Sequence, residues 1–445
     1  MKPLIPNAIV IVAMTLQVGS ARADWPQFRG PNRDAKSLES GLLQRWPEGG
    51  PKLAFQMSGL GTGYSSVSIQ NGLLFTMGDI GADQFVIALS LDKKTIEWKT
   101  RIGPAWTREQ PKGPRSTPTA DSDGIYAIGT EGDLMAFEAA TGKVRWKKSL
   151  PGDFGGRMMS GWKWSESPLV DGDRLMATPG SANALMVCLE KATGKEIWRT
   201  KAGAFGPAGL DGAGYSSIVI SNGAGVKQYV QLMGRGVVGV RASDGKFLWT
   251  YNKVANDTAN ISTPIASGDY VFSATGYQTG SGLLKLSRVG DAVVATEQYF
   301  LDGKTFQNHH GGMVLVGGHI YAGQGHRMGL PICIELATGR KVWGGDIRNA
   351  GKGSAAIAYA DMHLIFRYEN GLVLLIEATP AGYKEKGQFE IPNASPLNWP
   401  YPAISDGKLF LRDQDRLLVY DIKAAGSAPR QPTKASSSSP QETLE

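Results

Sequence analysis

The chain has 445 residues, including 58 glycines and 24 prolines, and its formal net charge at pH 7 is +7. This length suits two or three average domains or one large all-β domain, and the glycines follow no Gly-X-Y period, which excludes collagen. Lys and Arg are scattered along the chain, so the positive charge does not indicate a nucleic-acid partner. Composition therefore favours one all-β domain with many tight turns.

Residues 1–23 have the pattern of a secretory signal peptide. Lys2 gives a positive start, the segment from Leu4 to Val18 is mostly apolar, and Ala21-Arg22-Ala23 places small residues at the cleavage positions. We predict cleavage before Asp24 and an exported protein, periplasmic or extracellular, with a retained N-terminal anchor as the alternative. No later segment approaches the roughly 20 apolar residues of a membrane-spanning helix, so we expect no transmembrane segment in the mature chain.

An internal repeat of roughly 50 residues is the strongest pattern in the sequence. Two clear copies are Thr141-Gly142-Lys143-Val144-Arg145-Trp146 and Thr193-Gly194-Lys195-Glu196-Ile197-Trp198. Other copies end in Trp98, Trp249 and Trp343, and the double gap before Trp343 indicates a unit that has lost its tryptophan. Each unit contains four short apolar strands joined by Gly turns. Four strands per unit at this period predict a β-propeller.

We predict an all-β fold, an eight-bladed β-propeller of four-stranded antiparallel blades over residues 51–424, with seven blades as the alternative. The last unit, residues 398–424, has only three strands. We expect the segment from Pro51 to Gln56 to supply the missing outer strand, with Phe55 in the place of the tryptophan, so that an N-terminal strand closes the ring. No segment has sustained 3.6-residue periodicity, so helices should be rare.

The two ends of the chain and the two cysteines complete the predicted organisation. Residues 24–50 are expected to form an N-terminal segment that docks on the propeller. Residues 425–445 are rich in serine and proline and should form a disordered tail. Cys188 and Cys333 both lie inside apolar strand patterns. We therefore interpret them as buried free thiols that pack like small hydrophobic side chains, although an oxidising compartment would permit a disulfide.

The Thr-Gly-Lys-x-x-Trp turn resembles the tryptophan-docking motif of PQQ-type quinoprotein propellers. The segment from Asp24 to Asp34, DWPQFRGPNRD, is similar to the N-terminus of exported bacterial PQQ-like repeat proteins. The resemblance implies that each tryptophan ring packs between neighbouring blades and that Trp25 and Phe28 dock on the propeller. It does not imply an activity, because this architecture serves enzymes and scaffolds alike.

Two devices of the enzymes in this family have no counterpart in the sequence. The PQQ alcohol dehydrogenases carry adjacent cysteines that form a vicinal disulfide beneath the quinone, whereas Cys188 and Cys333 are far apart. The haem-bearing members carry Cys-x-x-Cys-His, which is also missing. These departures favour a shared scaffold over a shared chemistry, and whether the chain is an enzyme stays open.

The residues that precede the innermost strand of each unit are expected to crowd toward the central channel on one face. Most units place Ser or Thr there, and we expect those hydroxyls to cap strand ends and to bond the neighbouring blade. Ionisable side chains break this pattern in some units, which is typical of a ligand site. The candidate ligand-binding or cofactor-binding residues on the channel rim are Tyr64, Arg115, Glu166, Tyr215, His309, His310 and Trp399.

Four of the five histidines lie between residues 309 and 326. A hairpin over this region would place His309, His310 and His326 at one end and His319 at the other. At most three of them could therefore share a metal ion, and the usual spacing motifs of metal ligands are missing. Hydrogen-bonded loop histidines are the favoured interpretation, and no metal site is predicted.

No catalytic residue can be named from the sequence, since Gly-x-Ser-x-Gly is missing. We favour a non-enzymatic exported scaffold that presents its loops to a partner protein, a peptide or a small envelope ligand. In fold it resembles the propeller lipoprotein of outer-membrane β-barrel assembly, without the lipid anchor. The alternative is a quinoprotein oxidoreductase for alcohols or sugars that binds PQQ and a calcium ion near Arg115 or His309. Carbohydrate binding through Trp106, Trp162 and Trp164 is a third possibility.

Overall fold

The computed structural model describes residues 23–107, 111–122 and 124–426. The signal peptide predicted for residues 1–23 and the tail predicted for residues 425–445 therefore fall almost wholly outside the described residues. Within the described ranges the only α-helix, α1 (Leu150–Phe154), has five residues, and one 3-10 turn covers Gly223–Gly225. The prediction that helices are rare is confirmed. None of the described helices is long and apolar enough to cross a membrane.

The described chain forms eight antiparallel sheets of four strands each. The first strand in the chain is β1 (Lys52–Met57). Blade 1 contains β2 (Ser68–Gln70), β3 (Leu73–Ile80), β4 (Asp83–Ser90) and β5 (Thr95–Pro104). Blade 2 contains β6 (Thr119–Asp121), β7 (Gly124–Ile128), β8 (Asp133–Glu138) and β9 (Val144–Ser149). Blade 3 contains β10 (Leu169–Asp171), β11 (Arg174–Ala177), β12 (Val187–Glu190) and β13 (Glu196–Arg199).

The remaining blades follow in chain order. Blade 4 contains β14 (Val219–Ser221), β15 (Gln228–Met233), β16 (Gly236–Arg241) and β17 (Phe247–Tyr251). Blade 5 contains β18 (Ile265–Ser267), β19 (Tyr270–Thr275), β20 (Gly280–Val289) and β21 (Ala292–Asp302). Blade 6 contains β22 (Met313–Val316), β23 (His319–Gln324), β24 (Leu330–Glu335) and β25 (Lys341–Gly344). Blade 7 contains β26 (Ala355–Ala360), β27 (His363–Tyr368), β28 (Leu372–Glu377) and β29 (Glu385–Glu390), and blade 8 contains β30 (Ala403–Ser405), β31 (Lys408–Asp413), β32 (Arg416–Asp421) and β1.

The blades stand in a ring around a central channel, which makes the fold an eight-bladed β-propeller. The first, mostly short strands of successive blades lie against one another, as β2 does against β6 and β14 against β18. Each sheet then runs outward in chain order, so that the first strand of each blade lies nearest the channel. Apolar side chains from adjacent blades share clusters, which places the core between the blades. The predicted fold class and the number of blades are confirmed.

Blade 8 is completed by the N-terminal strand. Its order is β1-β32-β31-β30, and β1 runs antiparallel to β32 from Lys52 opposite Asp421 to Met57 opposite Leu417. A register shift precedes Phe55, which pairs with Val419, just as a register shift precedes Trp98 in blade 1. The predicted closure and the position of Phe55 are confirmed.

Three of the repeated tryptophans, Trp98, Trp146 and Trp198, dock on the Gly turn of the next blade. The indole Nε1 of Trp98 donates to the Ala139 carbonyl at 2.9 Å, and the ring lies against Gly142, which has φ of +71°. A Cβ atom at Gly142 would lie 2.5 Å from that ring. Glycine is therefore required both for the left-handed backbone and for the close approach. Trp146 and Trp198 pack in the same way on Gly194 and Gly245.

Blade 5 explains the gap in the tryptophan series. Tyr299 takes the tryptophan position, with its hydroxyl donating to the Leu336 carbonyl at 2.7 Å and its ring against Gly339. Blade 5 also lacks the Thr-Gly-Lys turn that would receive Trp249 from blade 4. Trp249 instead donates to Oε1 of Gln228, in its own blade, at 2.6 Å. The Trp249 ring still packs among apolar side chains of blades 4 and 5, as the resemblance implied, and only its hydrogen-bond partner differs, because the acceptor turn is missing.

Residues 25–36 cross the channel and contact blades on opposite sides of the ring. Trp25, only 2% exposed, pairs with Ile69 of blade 1 through two backbone hydrogen bonds of 2.9 and 2.7 Å. The Arg33 guanidinium donates to the carbonyls of Ser167 and Pro168 beside blade 3 at 2.7 and 3.0 Å. Further along, Lys36 bridges to Tyr359 of blade 7. This segment therefore ties distant blades together.

Two fully buried arginines hold blade 8 to its neighbours. Arg412 on β31 donates to Oγ1 of Thr76 at 2.6 Å and to the Met77 carbonyl, both in blade 1. Arg367 on β27 of blade 7 donates to the Pro400 carbonyl at 2.9 Å and to the Arg412 carbonyl. Burial lowers the pKa of Arg412 to about 9 and that of Arg367 to about 10, so both stay charged at neutral pH. These cations stabilise the joint where the chain ends meet.

The variant Arg412→Met tests this joint. Methionine fills a similar apolar volume but leaves several buried carbonyls without a donor, at roughly 1–3 kcal/mol for each unsatisfied group. We therefore expect the free energy of unfolding to fall by about 3 kcal/mol or more, measured by urea denaturation. Arg340→Met, at a site whose side chain is 65% exposed, is the matched control and should change stability by less than about 0.5 kcal/mol. Equal effects of the two substitutions would contradict the role given to Arg412.

Candidate functional site

A series of inter-blade hydrogen bonds surrounds the channel where the inner strands begin. The Tyr401 amide of blade 8 donates to Oγ of Ser66 at 2.6 Å, and the Ser66 amide donates to Oγ1 of Thr117 in blade 2 at 3.1 Å. The same pattern continues to blade 5 through Thr117 to Ser167 (2.9 Å), Ser167 to Ser217 (3.0 Å) and Ser217 to Thr263 (3.2 Å). The expectation that these hydroxyls bond the neighbouring blade is confirmed.

A cavity of about 530 Å³ lies at this end of the channel. Six of the residues singled out from the sequence line it, and these are Tyr64, Arg115, Tyr215, His309, His310 and Trp399. Other lining residues come from the N-terminal segment, as Phe28 does, and from the turns of blades 5 and 6, as Tyr277 and Arg327 do. The cavity is therefore assembled from parts of the chain that are far apart in sequence.

Aromatic rings form much of the cavity wall. The Tyr64 and Trp399 rings lie 4.6 Å apart across the joint between blades 1 and 8. Phe28 meets Tyr401 edge to face at 5.0 Å, so the N-terminal segment closes one side of the cavity. Aromatic walls of this kind suit the apolar or planar part of a ligand.

The charges at the cavity are positive. Arg115 donates to the Trp162 carbonyl at 2.8 Å and to the Pro111 carbonyl at 2.6 Å, and so fixes two loops of the wall. Burial lowers the pKa of Arg115 to about 10, which still leaves it charged at neutral pH. Arg327 lines the cavity from an exposed turn. No Asp or Glu is among the lining residues in the described part of the chain.

Glu166 lies outside the cavity lining. It is 1% exposed, and its carboxyl group accepts hydrogen bonds from the amide and the hydroxyl of Thr178 at 2.9 and 3.0 Å. Ser65 and Ser216 accept hydrogen bonds from second-strand amides in the same way. Glu166 is the middle residue of Ser165-Glu166-Ser167, the triplet before the inner strand of blade 3. Side chains alternate between two faces along an extended chain, so the middle residue of each such triplet points into its own blade. Glu166 therefore holds the structure of blade 3.

The variant Glu166→Gln tests this placement through pH. Burial raises the pKa of Glu166 to about 8, whereas the unfolded chain has a value near 4.5. The neutral acid is thus favoured in the fold, and the stability that it contributes is lost as pH rises from about 4.5 to about 8. Glutamine resembles the neutral acid, so the melting temperature of the variant minus that of the wild type should grow over this range. Thermal melts at pH 4 to 8 measure it, and a constant difference would argue against a buried neutral Glu166.

Three histidines gather at one end of the hairpin of blade 6. The His309 ring lies 3.6 Å from the His310 ring and 4.2 Å from the His326 ring, centroid to centroid. His319 stands at the opposite end, where its Nδ1 contacts the Gly317 carbonyl at 2.8 Å. The predicted grouping of the histidines is confirmed.

Neighbouring blades contact this histidine cluster. Nδ1 of His309 lies 3.0 Å from Oγ of Ser354, and Nε2 lies 3.2 Å from the Tyr277 hydroxyl. Nδ1 of His310 lies 4.0 Å from Oε1 of Glu369, in the turn after β27. Burial, reinforced by the neighbouring histidines, lowers the pKa of His309 to about 2 and that of His310 to about 3, so both imidazoles are neutral at neutral pH.

Sequence reasoning missed Glu369, Tyr277 and Arg327. Each stands in a turn of its own blade, with no motif around it. Only the ring geometry brings Tyr277 and Arg327 to the cavity and Glu369 to His310 in its wall. In the structure, Tyr277 and Arg327 share one local feature, a left-handed backbone with φ of +57° and +55°. The sequence itself does not mark this feature. Such values are uncommon for these residue types and mark sites that merit attention.

The chain matches one family model and several solved propeller structures. A family model described as "Outer membrane protein assembly factor BamB" matches residues 63–344. The chain belongs to this family. Among curated proteins, none matches the chain in sequence.

Solved structures confirm the fold of this BamB-family chain. BamB from Moraxella catarrhalis is 12% identical with a TM-score of 0.57, covering 83% of this chain and 99% of its own. A quinohemoprotein alcohol dehydrogenase from Comamonas testosteroni is 11% identical with a TM-score of 0.60, covering 92% of this chain and 82% of its own. A europium-containing methanol dehydrogenase is 10% identical with a TM-score of 0.54, covering 87% of this chain and 89% of its own. At these identities the likeness shows the propeller fold alone.

The cavity of this BamB-family chain does not fit PQQ with calcium as the quinoprotein resemblance would place them. Cys188 and Cys333 are buried free thiols that face Trp198 and Trp343 across the third and fourth strands of their blades, and neither lines the cavity. Calcium prefers several oxygen ligands, usually carboxylates, and the described lining offers no carboxylate. The prediction that the cysteines are buried and free is confirmed.

Proposed function

We propose that the protein is an exported, non-enzymatic scaffold of the cell envelope. Its cavity at the channel end binds an aromatic group that carries a carboxylate, presented by a partner protein, a peptide or a small envelope ligand. The observation that carries this proposal is the pairing of aromatic walls with Arg115 and Arg327, without a carboxylate among the described lining residues. A cation beside an apolar wall attracts an anionic group more strongly than it would in water.

Family membership supports an interaction role in the envelope. The family model is described as an outer membrane protein assembly factor, and an assembly factor has to bind the proteins that it assembles. The segment 1–23 has the pattern of an export signal, which agrees with that location.

The hydroxyl groups of the cavity support a role without catalysis. Ser66, Ser217 and Thr263 each accept a hydrogen bond from a backbone amide of the neighbouring blade. A nucleophilic hydroxyl needs an adjacent general base. The nitrogens of His309 contact the hydroxyl of Ser354, which does not line the cavity, and the phenol of Tyr277, so His309 serves none of these three hydroxyls as a base.

A matched pair of ligands tests the charge and shape of the cavity. We expect 3-phenylpropionate to quench the tryptophan fluorescence of the tagless chain with saturation, since Trp162 and Trp399 line the cavity. Phenethylamine has the same ring with the opposite charge and should bind at least tenfold more weakly. Arg327→Gln should weaken binding of the acid about fivefold, which corresponds to roughly 1 kcal/mol. The titrations are made in the presence of EDTA.

Arg340→Gln serves as the control, because Arg340 lies on an outer turn and does not line the cavity. It should leave the affinity for 3-phenylpropionate unchanged. Equal binding of the acid and the amine would overturn the proposed function. A separate titration with PQQ and calcium, made without EDTA, addresses the oxidoreductase alternative. A shifted quinone absorbance together with dye reduction by alcohols would favour that enzyme over the scaffold.

Export has its own test. Expression of the full chain in a Gram-negative host should yield a periplasmic protein whose mass corresponds to a chain that begins at Asp24. Cell fractionation and intact mass spectrometry measure both properties. A protein found in the cytoplasm with residues 1–23 retained would contradict the proposed location.

A further inference from the structure

We propose that His309, His310 and Glu369 form a binding site for a divalent transition-metal ion in the wall of the cavity. Each of these residues offers one ligand atom, and the three atoms all lie within 4.8 Å of one another. Two imidazoles and one carboxylate are a donor set that suits zinc, cobalt or iron in the divalent state. The metal site is a second binding property, separate from the proposed function, because its ligands all come from the protein and it needs no organic ligand.

The gap between His310 and Glu369 suits a bridging ion. Nδ1 of His310 is buried and has no hydrogen-bond partner among the described residues, and Oε1 of Glu369 lies 4.0 Å away. That distance is too long for a hydrogen bond. A tetrahedral zinc ion with bonds of about 2.1 Å holds its donor atoms about 3.4 Å apart, so the two groups need to approach by only about 0.6 Å.

Ser354 contacts two of the three ligands and orients the Glu369 carboxylate. Its hydroxyl contacts Nδ1 of His309 at 3.0 Å, and its amide donates to Oε1 of Glu369 at 2.8 Å. Outer contacts of this kind fix the orientation of metal ligands in known sites. Binding replaces at most one of the two hydrogen bonds that His309 makes. The ligands are therefore held close to their places before an ion arrives.

His326 and the cavity complete the surroundings of the site. The His326 ring lies 4.2 Å from the His309 ring, and its Nδ1 also has no partner among the described residues. His326 is therefore the nearest candidate for a fourth ligand. His309 and His310 line the cavity, so an ion held by the three ligands alone, without His326, keeps a position open to ligands from the channel. A bound ion would also add positive charge beside Arg115 and Arg327.

The experiment uses the tagless chain and two metal ions. We expect zinc, followed calorimetrically, to bind one ion per chain with a dissociation constant of about 10 µM or tighter. Cobalt should bind at the same site with visible absorption bands. His310→Gln and Glu369→Gln should each weaken zinc binding at least tenfold. Glutamine at position 369 keeps an oxygen that can accept from Ser354.

His319→Gln is the matched control, because it removes a histidine at the other end of the same hairpin. It should leave zinc binding unchanged. Zinc should raise the melting temperature of the wild type and of this control but not that of His310→Gln, provided that the metal-free variants melt alike. Lack of saturable binding below about 100 µM zinc, or equal affinity in His310→Gln and the wild type, would overturn the site. Because the organic ligands are titrated in EDTA, failure of one proposal is distinguishable from failure of the other.

Discussion

The closure of the ring is the constraint on which the rest of the structure depends. A propeller whose last blade lacked its outer strand would expose an unpaired edge, and pairing of β1 with β32 removes it. Arg412 adds buried hydrogen bonds from blade 8 to blade 1. The candidate site depends on the same joint, because the Tyr64 ring of blade 1 packs against the Trp399 ring of blade 8 across it. A ring that did not close would have no complete cavity.

Side chains alternate between two faces along an extended chain, with a period of two residues, and this alternation determines which of them reach the cavity. In six blades the first residue of the triplet before the inner strand lines the cavity, and the middle residue does not. Glu166 is a middle residue, which accounts for its burial against Thr178. In blade 6 the pattern is shifted by one residue, because Asn308 bonds the Gly323 carbonyl of its own blade while His309 and His310 line the cavity. The extended backbone therefore explains both the shared hydroxyls and the exceptional histidines.

The sequence predicted the features that are encoded locally and repeated. The Thr-Gly-Lys-x-x-Trp turn specifies a left-handed glycine beneath a ring, so the docking of Trp98 on Gly142 could be expected from a few residues. The sequence also shows that blade 5 has lost this turn. It does not show that Trp249, one blade earlier, therefore donates its hydrogen bond to Gln228 of its own blade. Glu369 and Tyr277 reach the histidine cluster from single turns of other blades. Such contacts depend on the angle between blades, and a local sequence pattern does not determine that angle.

The N-terminal segment connects the fold to the site. Trp25 pairs with blade 1, and Phe28, three residues later, lines the cavity against Tyr401. Arg29 then donates to the Met313 carbonyl of blade 6, and Arg33 donates to carbonyls beside blade 3, where its charge acts on Glu166. The segment thus uses buried cations to bond inner strands on opposite sides of the channel. Because Phe28 lies between these anchors, the shape of the cavity depends on the docking of the segment as well as on the blades.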